Sequence, residues 1–214
     1  MKKILLLAVF ISIHFLGLKA LASDNIYNLS CTPTITTGTI SPITICAGTV
    51  ISVPFTFTDC VDPSNVFTVQ LSDAAGSFAS PVNIGSAAGT TAGSIIAIVP
   101  PNISFGFGYR IRVVSSSPLV NGTDNGVDLT LLPKPNATFS INNSSQCVNG
   151  NSFVFTNTST GSISNYKWNL GDGITTTQTN VAYSYASSNN YNVTLTATGT
   201  NGCRDSITQP VTVL

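Results

Sequence analysis

Glutamate is absent from this 214-residue sequence, and histidine and methionine occur once each, as His14 and Met1. Charged residues make up only 7% of the chain. His14 and Met1 both fall in an N-terminal segment that is expected to be removed, so the mature chain is expected to contain neither histidine nor glutamate. That excludes a Ser-His-Asp or Cys-His nucleophile pair, an imidazole zinc site and a glutamate-based glycosidase pair. Aspartate pairs stay formally open, but all eight aspartates are expected in turns, loops or the N-terminal stretch. The cations left after residue 22 are Arg110, Arg112, Lys134, Lys167 and Arg204, five dispersed charges against eight aspartates, a net of −3. Such a surface has no footprint for nucleic acid. No apolar run of spanning length occurs beyond residue 22.

The N-terminal segment carries an export address. Lys2 and Lys3 precede an apolar run from Ile4 to Leu18, and Ala20-Leu21-Ala22 supplies a small-x-small cleavage pattern. Residues 1–22 are therefore expected to be a signal peptide. The mature protein is expected outside the cytoplasm, secreted or at a cell surface, without membrane insertion and where disulfides persist. Cys31 lies too far from the apolar run for a lipoprotein.

The remainder reads as strands and turns. In Val50–Thr58 the apolar residues Ile51, Val53, Phe55 and Phe57 alternate with Ser52, Pro54, Thr56 and Thr58. Val66–Leu71, Ser94–Val99, Tyr109–Val114 and Val127–Leu132 continue the pattern. Later, Tyr166, Trp168 and Leu170, then Val181, Tyr183 and Tyr185, then Tyr191, Val193, Leu195 and Ala197 share inward faces. The outward faces are mostly Thr, Ser and Asn, which favour strands and stay soluble without charge. Gly85, Ala88-Gly89, Asn121-Gly122, Asn125-Gly126, Gly171-Asp172-Gly173 and Asn201-Gly202 mark turns. No window carries a helical stripe. Pro133-Lys134-Pro135 divides the chain, and its stiff geometry suits a linker. Two β-sandwiches in series are predicted, over 23–133 and 134–214.

The motifs of the second lobe fall in a familiar order. Trp168-Asn169-Leu170-Gly171-Asp172-Gly173 resembles the W-D-F-G-D-G signature of PKD domains. Tyr183-Ser184-Tyr185, Tyr191-Asn192-Val193-Thr194-Leu195-Thr196-Ala197 and Asn201-Gly202-Cys203 resemble the family's later motifs. Asn169 stands where Asp is usual, and Ser184 departs from the H-T-Y step. The first lobe resembles a sandwich module of secreted and cell-surface proteins of Bacteroidetes. It does so through Phe67–Asp73, Gly76-Ser77-Phe78, Ile84-Gly85-Ser86, Tyr109–Ser116 and Asn125-Gly126. These resemblances imply an all-β chain of two tandem Ig-like antiparallel β-sandwiches, the second a spacer or recognition module. They also imply a bacterial source, in which the N-x-S/T triplets are silent. Asp205-Ser206-Ile207 resembles the Bacteroidetes O-glycan attachment pattern, which marks Ser206.

Each candidate site residue has two readings. Trp168 is a sugar-stacking platform or a core aromatic, and its inward register favours the core. Tyr183, Tyr185 and Tyr191 are read the same way. Asp172, between Gly171 and Gly173, is a calcium ligand or a turn residue, and the lack of a second nearby carboxylate favours the turn. Arg110 and Arg112 form an outward stripe, read as a solvated face. Five cysteines leave one unpaired. Cys147 and Cys203, alone in the second lobe, are expected to pair, although standard sandwich topology puts them near opposite ends. Cys31 and Cys60 are the expected first-lobe pair, with Cys46 free. No cofactor and no metal is implied.

The expected function is a secreted, non-catalytic module for adhesion, spacing or recognition of an extracellular protein or glycan. The alternatives are an accessory region of a secreted hydrolase and a stand-alone carbohydrate-binding protein. The last strand runs to Leu214 with no anchor after it. The product is therefore expected to be either freely soluble after export or part of a longer protein.

Overall fold

The computed structural model describes residues 32–58 and 60–214. The expected signal peptide lies outside these residues. The alternating runs fold as strands, and there is no helix among the described residues. The first lobe holds ten strands: β1 (Thr34–Thr37), β2 (Thr44–Cys46), β3 (Val50–Thr58), β4 (Val66–Leu71), β5 (Val82–Ala88), β6 (Gly93–Ile98), β7 (Gly106–Tyr109), β8 (Ile111–Ser116), β9 (Leu119–Asp124) and β10 (Leu129–Leu132). The second holds eight: β11 (Phe139–Ile141), β12 (Ser145–Gln146), β13 (Phe153–Asn157), β14 (Ile163–Asn169), β15 (Thr175–Thr176), β16 (Val181–Tyr183), β17 (Asn189–Gly199) and β18 (Arg204–Val213).

In the first lobe a seven-stranded sheet runs β5-β4-β8-β9-β1-β3-β6, and a three-stranded sheet runs β2-β10-β7. In the second, β11-β13-β16 faces the five-stranded β12-β18-β17-β14-β15. Most pairs are antiparallel, as predicted. The exceptions are the parallel pairs β1–β9, β2–β10 and β12–β18. Each lobe has its own core. Val53, Phe67, Val69, Leu71, Ile111, Val113, Leu129 and Leu131 belong to the first. Phe153, Phe155, Trp168, Leu170, Val193 and Leu195 belong to the second. Every one of these side chains is essentially sealed from solvent, and each stabilises the fold by roughly 1.5–3 kcal/mol for an aliphatic or Phe side chain. Despite the two cores, the described residues fall within one compact unit.

Two of the expected glycine turns are strand interiors instead. Asn121-Gly122 lies within β9, not in a turn. A Cβ on Gly122 would clash with the Val113 carbonyl oxygen and fall 2.8 Å from Ile35 Cγ2. Gly85 lies within β5, where a Cβ would meet the Ile96 carbonyl oxygen of β6 at 2.5 Å. The two end strands of the seven-stranded sheet thus approach each other through a missing side chain. Glycine inside a strand marks such close backbone approach as readily as it marks a turn. By contrast, Gly126 and Gly202 adopt φ of 77° and 86° and do turn the chain.

The contrast between strand glycines is testable by thermal or urea unfolding. Gly122→Ala is expected to destabilise the protein by about 1–3 kcal/mol through overpacking. Gly93→Ala, where a Cβ meets nothing within 4 Å, is expected to be neutral or to stabilise by up to about 1 kcal/mol.

Candidate functional site

The motif residues of the second lobe build a rigid aromatic frame. Trp168 is 0% exposed on the inner face of β14, and its Nε1 donates to the Gln178 carbonyl at 2.9 Å. Phe139 packs edge-on to its ring at 5.0 Å. The Tyr185 hydroxyl donates to the Leu170 carbonyl at 2.6 Å, and Tyr185 stacks on Tyr191 at 4.0 Å. Burial, reinforced by Asp172, pushes the Tyr185 hydroxyl well above its ordinary range. The Tyr191 hydroxyl reaches back to the Ser187 carbonyl at 2.9 Å, the tyrosine-corner contact of sandwich folds. No surface of Trp168 is available to a ligand.

The Gly171-Asp172-Gly173 segment is a turn, with φ of 86° and 96° at its glycines. Leu170 N–H donates to the Ile174 carbonyl across it. Both carboxylate oxygens of Asp172 are engaged: Oδ1 accepts from Ile174 N–H at 3.1 Å and Oδ2 from the Tyr183 hydroxyl at 2.7 Å. That hydrogen bond is the main reason the Tyr183 hydroxyl is held above its usual range. A Cβ at Gly171 would lie 2.8 Å from Asn192 N, so the turn is pinned against β17. Among the described residues no three His, Cys or Asp side chains gather as metal ligands.

The arginine stripe is already partnered within the first lobe. Arg110 bridges Asp128 at 2.8 Å and Asp124 at 3.2 Å. Arg112 donates to Gln70 Oε1 at 2.9 Å and lies 4.4 Å over the Phe78 ring. On the outer face of β17 and β18, hydroxyls pair across the strands: Thr194 with Thr208 at 2.8 Å, and Thr196 with Ser206 at 2.9 Å. Ser206 is exposed on this face.

The joint between the lobes departs most from expectation. Cys203 is disulfide-bonded to Cys46, not to Cys147, so Cys46 is not free. Cys147 is the exposed free thiol. Strand register explains the correction. Gln146 pairs with Val213, and Val148 N–H donates to the Leu214 carbonyl, so Cys147 sits at the far end of β18. Cys203 precedes the same ten-residue strand. At about 3.3 Å per residue the two thiols lie roughly 33 Å apart, far beyond bridging distance. The pairing expected between Cys31 and Cys60 involves Cys31, which lies outside the described residues. Cys60 is itself disulfide-bonded.

The crosslink lies beside the linker. Cys46 is the register partner of Leu132, the last residue before Pro133. The β17–β18 hairpin turn reaches back to this point, where Asn201 Nδ2 donates to the Pro133 carbonyl at 2.7 Å. Lys134 bridges Asp205 at 2.8 Å, and the other Asp205 oxygen accepts from Ala137 N–H at 2.9 Å. Burial alone would push the Asp205 carboxyl up. Lys134 and the N–H groups of Ala137 and Ser206 outweigh it and hold the group below its ordinary value. Sequence reading missed Lys134, Asn201 and Asp205 as a set. The odd number of cysteines in the first lobe was the available signal. Two clefts flank the joint. One, of about 390 Å³, is walled by Phe105 and Leu132 on one side and by Ser162, Thr200 and Asn201 on the other. The second, of about 400 Å³, is lined by Pro101, Asn102, Lys134 and Asp205.

The PKD domain family model matches residues 132–214. The chain is similar to the PKD1 domain of the Vibrio cholerae metalloprotease PrtV, at 34% identity, covering 37% of this chain and 96% of that domain with a TM-score of 0.34. It is also similar to the PKD1 domain of Vibrio anguillarum Epp, at 26% identity, covering 37% and 93% with a TM-score of 0.33. No curated protein matches it significantly.

Two outcomes follow for the joint. Cys46→Ser/Cys203→Ser is expected to lower unfolding free energy by roughly 2–5 kcal/mol, read by urea titration. Asp205 has a lowered folded-state pKa, so its contribution is present above the ordinary aspartate range and is lost as pH falls through the folded value. Acid unfolding of Asp205→Asn, compared with the parent protein, is expected to show a flatter pH dependence below about pH 4, with reduced stability at neutral pH.

Proposed function

With residues 132–214 belonging to the PKD domain family, we propose that this chain is an exported, non-catalytic, two-sandwich module. It holds its lobes in a fixed relation to space or present a partner-binding surface. The observation that carries this reading is the Cys46–Cys203 bond between the lobes. A proline-rich linker alone would space two domains while leaving them free to rotate. A second covalent connection beside it leaves at most one axis of motion, and the Asn201–Pro133 and Lys134–Asp205 bonds hold the linker itself against the second lobe. A disulfide suits an oxidising compartment, in keeping with the export address read at residues 1–22.

The non-catalytic part rests on chemistry. Beyond residue 22 the sequence has no histidine or glutamate. Among the described aspartates, Asp124 and Asp128 neutralise Arg110, Asp205 neutralises Lys134, and Asp172 holds Tyr183. Asp62 and Asp73 accept from nearby backbone N–H groups in turns. None is left as a poised general acid or base. Function then falls to exposed surfaces, whose weak contacts strengthen when repeated.

The test is the relative orientation of the lobes in solution, from residual dipolar couplings. A single alignment tensor is expected to fit both lobes of the parent protein, and two independent tensors are expected for Cys46→Ser/Cys203→Ser. Two tensors for the oxidised parent protein would refute the fixed-geometry reading.

A further inference from the structure

Phe105 and Phe107 are left 52% and 66% exposed, whereas the other aromatic side chains among the described residues are buried or half-buried. Phe105 immediately precedes edge strand β7 and Phe107 lies within it, with ring centroids 4.5 Å apart and edge to face. Gly106 and Gly108 alternate with them and face Ala74, where a Cβ would clash at 2.6–2.8 Å. The backbone is thereby pressed inward, and the two rings are directed away from the core. Phe105 forms one wall of the 390 Å³ cleft beside the joint. That volume is within the roughly 300–1,000 Å³ of small-molecule sites and near the lower end, and such sites favour domain interfaces.

The opposite wall is polar and uncharged. Ser162 and Thr200 are exposed, and their hydroxyls make no hydrogen bond among the described residues. Their backbones are fixed, since Thr200 N–H donates to the Ser162 carbonyl at 2.9 Å. Asn201 is spent on Pro133 and Cys203. Lys134, the one charged lining residue, is neutralised by Asp205. An exposed aromatic ring and two free hydroxyls lining one cleft, with no unpaired charge, are complementary to a neutral ligand that has one apolar face and a hydroxylated rim. That is the chemistry of a pyranose, whose C–H face packs on an aromatic ring while its hydroxyls bond to the edges.

We propose that this joint cleft binds a neutral saccharide of one or two sugar units, with Phe105 as the stacking platform and Ser162 and Thr200 as hydroxyl partners. The proposal rests on the fixed-geometry reading above, because the two walls belong to different lobes and only a locked joint keeps them in register. Locking before binding removes an ordering cost that would otherwise weaken association.

The experiment is a titration of isotope-labelled, oxidised mature protein that retains all five cysteines. The probes are neutral hexose and N-acetylhexosamine mono- and disaccharides at millimolar concentration, with a uronic acid disaccharide as the charged comparison. Resonances of Phe105, Ser162 and Thr200 are expected to shift and saturate with at least one neutral probe. Phe105→Ala is expected to weaken that binding at least tenfold, and Thr200→Val severalfold, both with unchanged thermal midpoints because the two side chains are exposed. Cys46→Ser/Cys203→Ser is expected to weaken binding as the walls separate. Any of three results would overturn the proposal: no neutral probe shifting these resonances, affinity unchanged in Phe105→Ala, or binding confined to the uronic acid. Dipolar couplings on the same samples separate the two ideas. A rigid protein that binds no saccharide rejects the cleft and keeps the spacer, whereas a flexible oxidised protein rejects both.

Discussion

The Cys46–Cys203 bond is the constraint on which the organisation of this molecule depends. Each sandwich folds around its own core, and neither core extends into the other. Residue 132 leads directly into the second lobe, so the lobes share a single backbone passage. The disulfide adds a second passage one register position away, because Cys46 lies opposite Leu132 in the β2–β10 pair. Its loop spans a sequence separation of 157, for which chain-entropy reasoning gives a stabilisation of about 5 kcal/mol. The polar bonds around it are individually modest. Asn201 to Pro133 and Lys134 to Asp205 set direction rather than supply strength.

A crosslink of this span also reroutes tension. Force pulling apart the segments before Cys46 and after Cys203 passes through the sulfur–sulfur bond. Most of the intervening chain, including nearly all of both cores, is bypassed by this covalent path. β1, β2 and β18 lie on the loaded path. A module built this way is expected to keep most of its chain folded while its ends are under load. The joint cleft, with one wall from each lobe, lies within the shielded part.

Much of the fold was legible in the sequence because alternation is a local signal. Val50–Thr58 and Val66–Leu71 form strands with the expected bounds. Trp168 and Tyr185 lie in the core as their register required. Glycine was harder to read, since a turn and a close approach between strands demand the same residue. Gly85 and Gly122 were assigned to turns and serve instead as approach points inside β5 and β9. The joint was illegible for a different reason. Pairing Cys203 with Cys147 assumed that each sandwich closes its own disulfides, and the length of β18 forbids it. Which cysteine faces Cys203 depends on how two separately folded lobes meet, and no periodicity within either lobe encodes that. The exposed Phe105 and Phe107 were equally silent, because an outward aromatic in a strand alternates just as an inward one does.

Single-molecule force spectroscopy measures the role of the crosslink most directly. The mature protein, with all five cysteines present, is held at its two ends and stretched in oxidising buffer and then with a reductant. Oxidised molecules are expected to extend only by the short segments outside the crosslink. Reduction is expected to release further unfolding events totalling about 57 nm, the 157-residue separation at roughly 3.6 Å per residue. Full-length extension in oxidising buffer, with no change on reduction, would contradict a disulfide-locked joint.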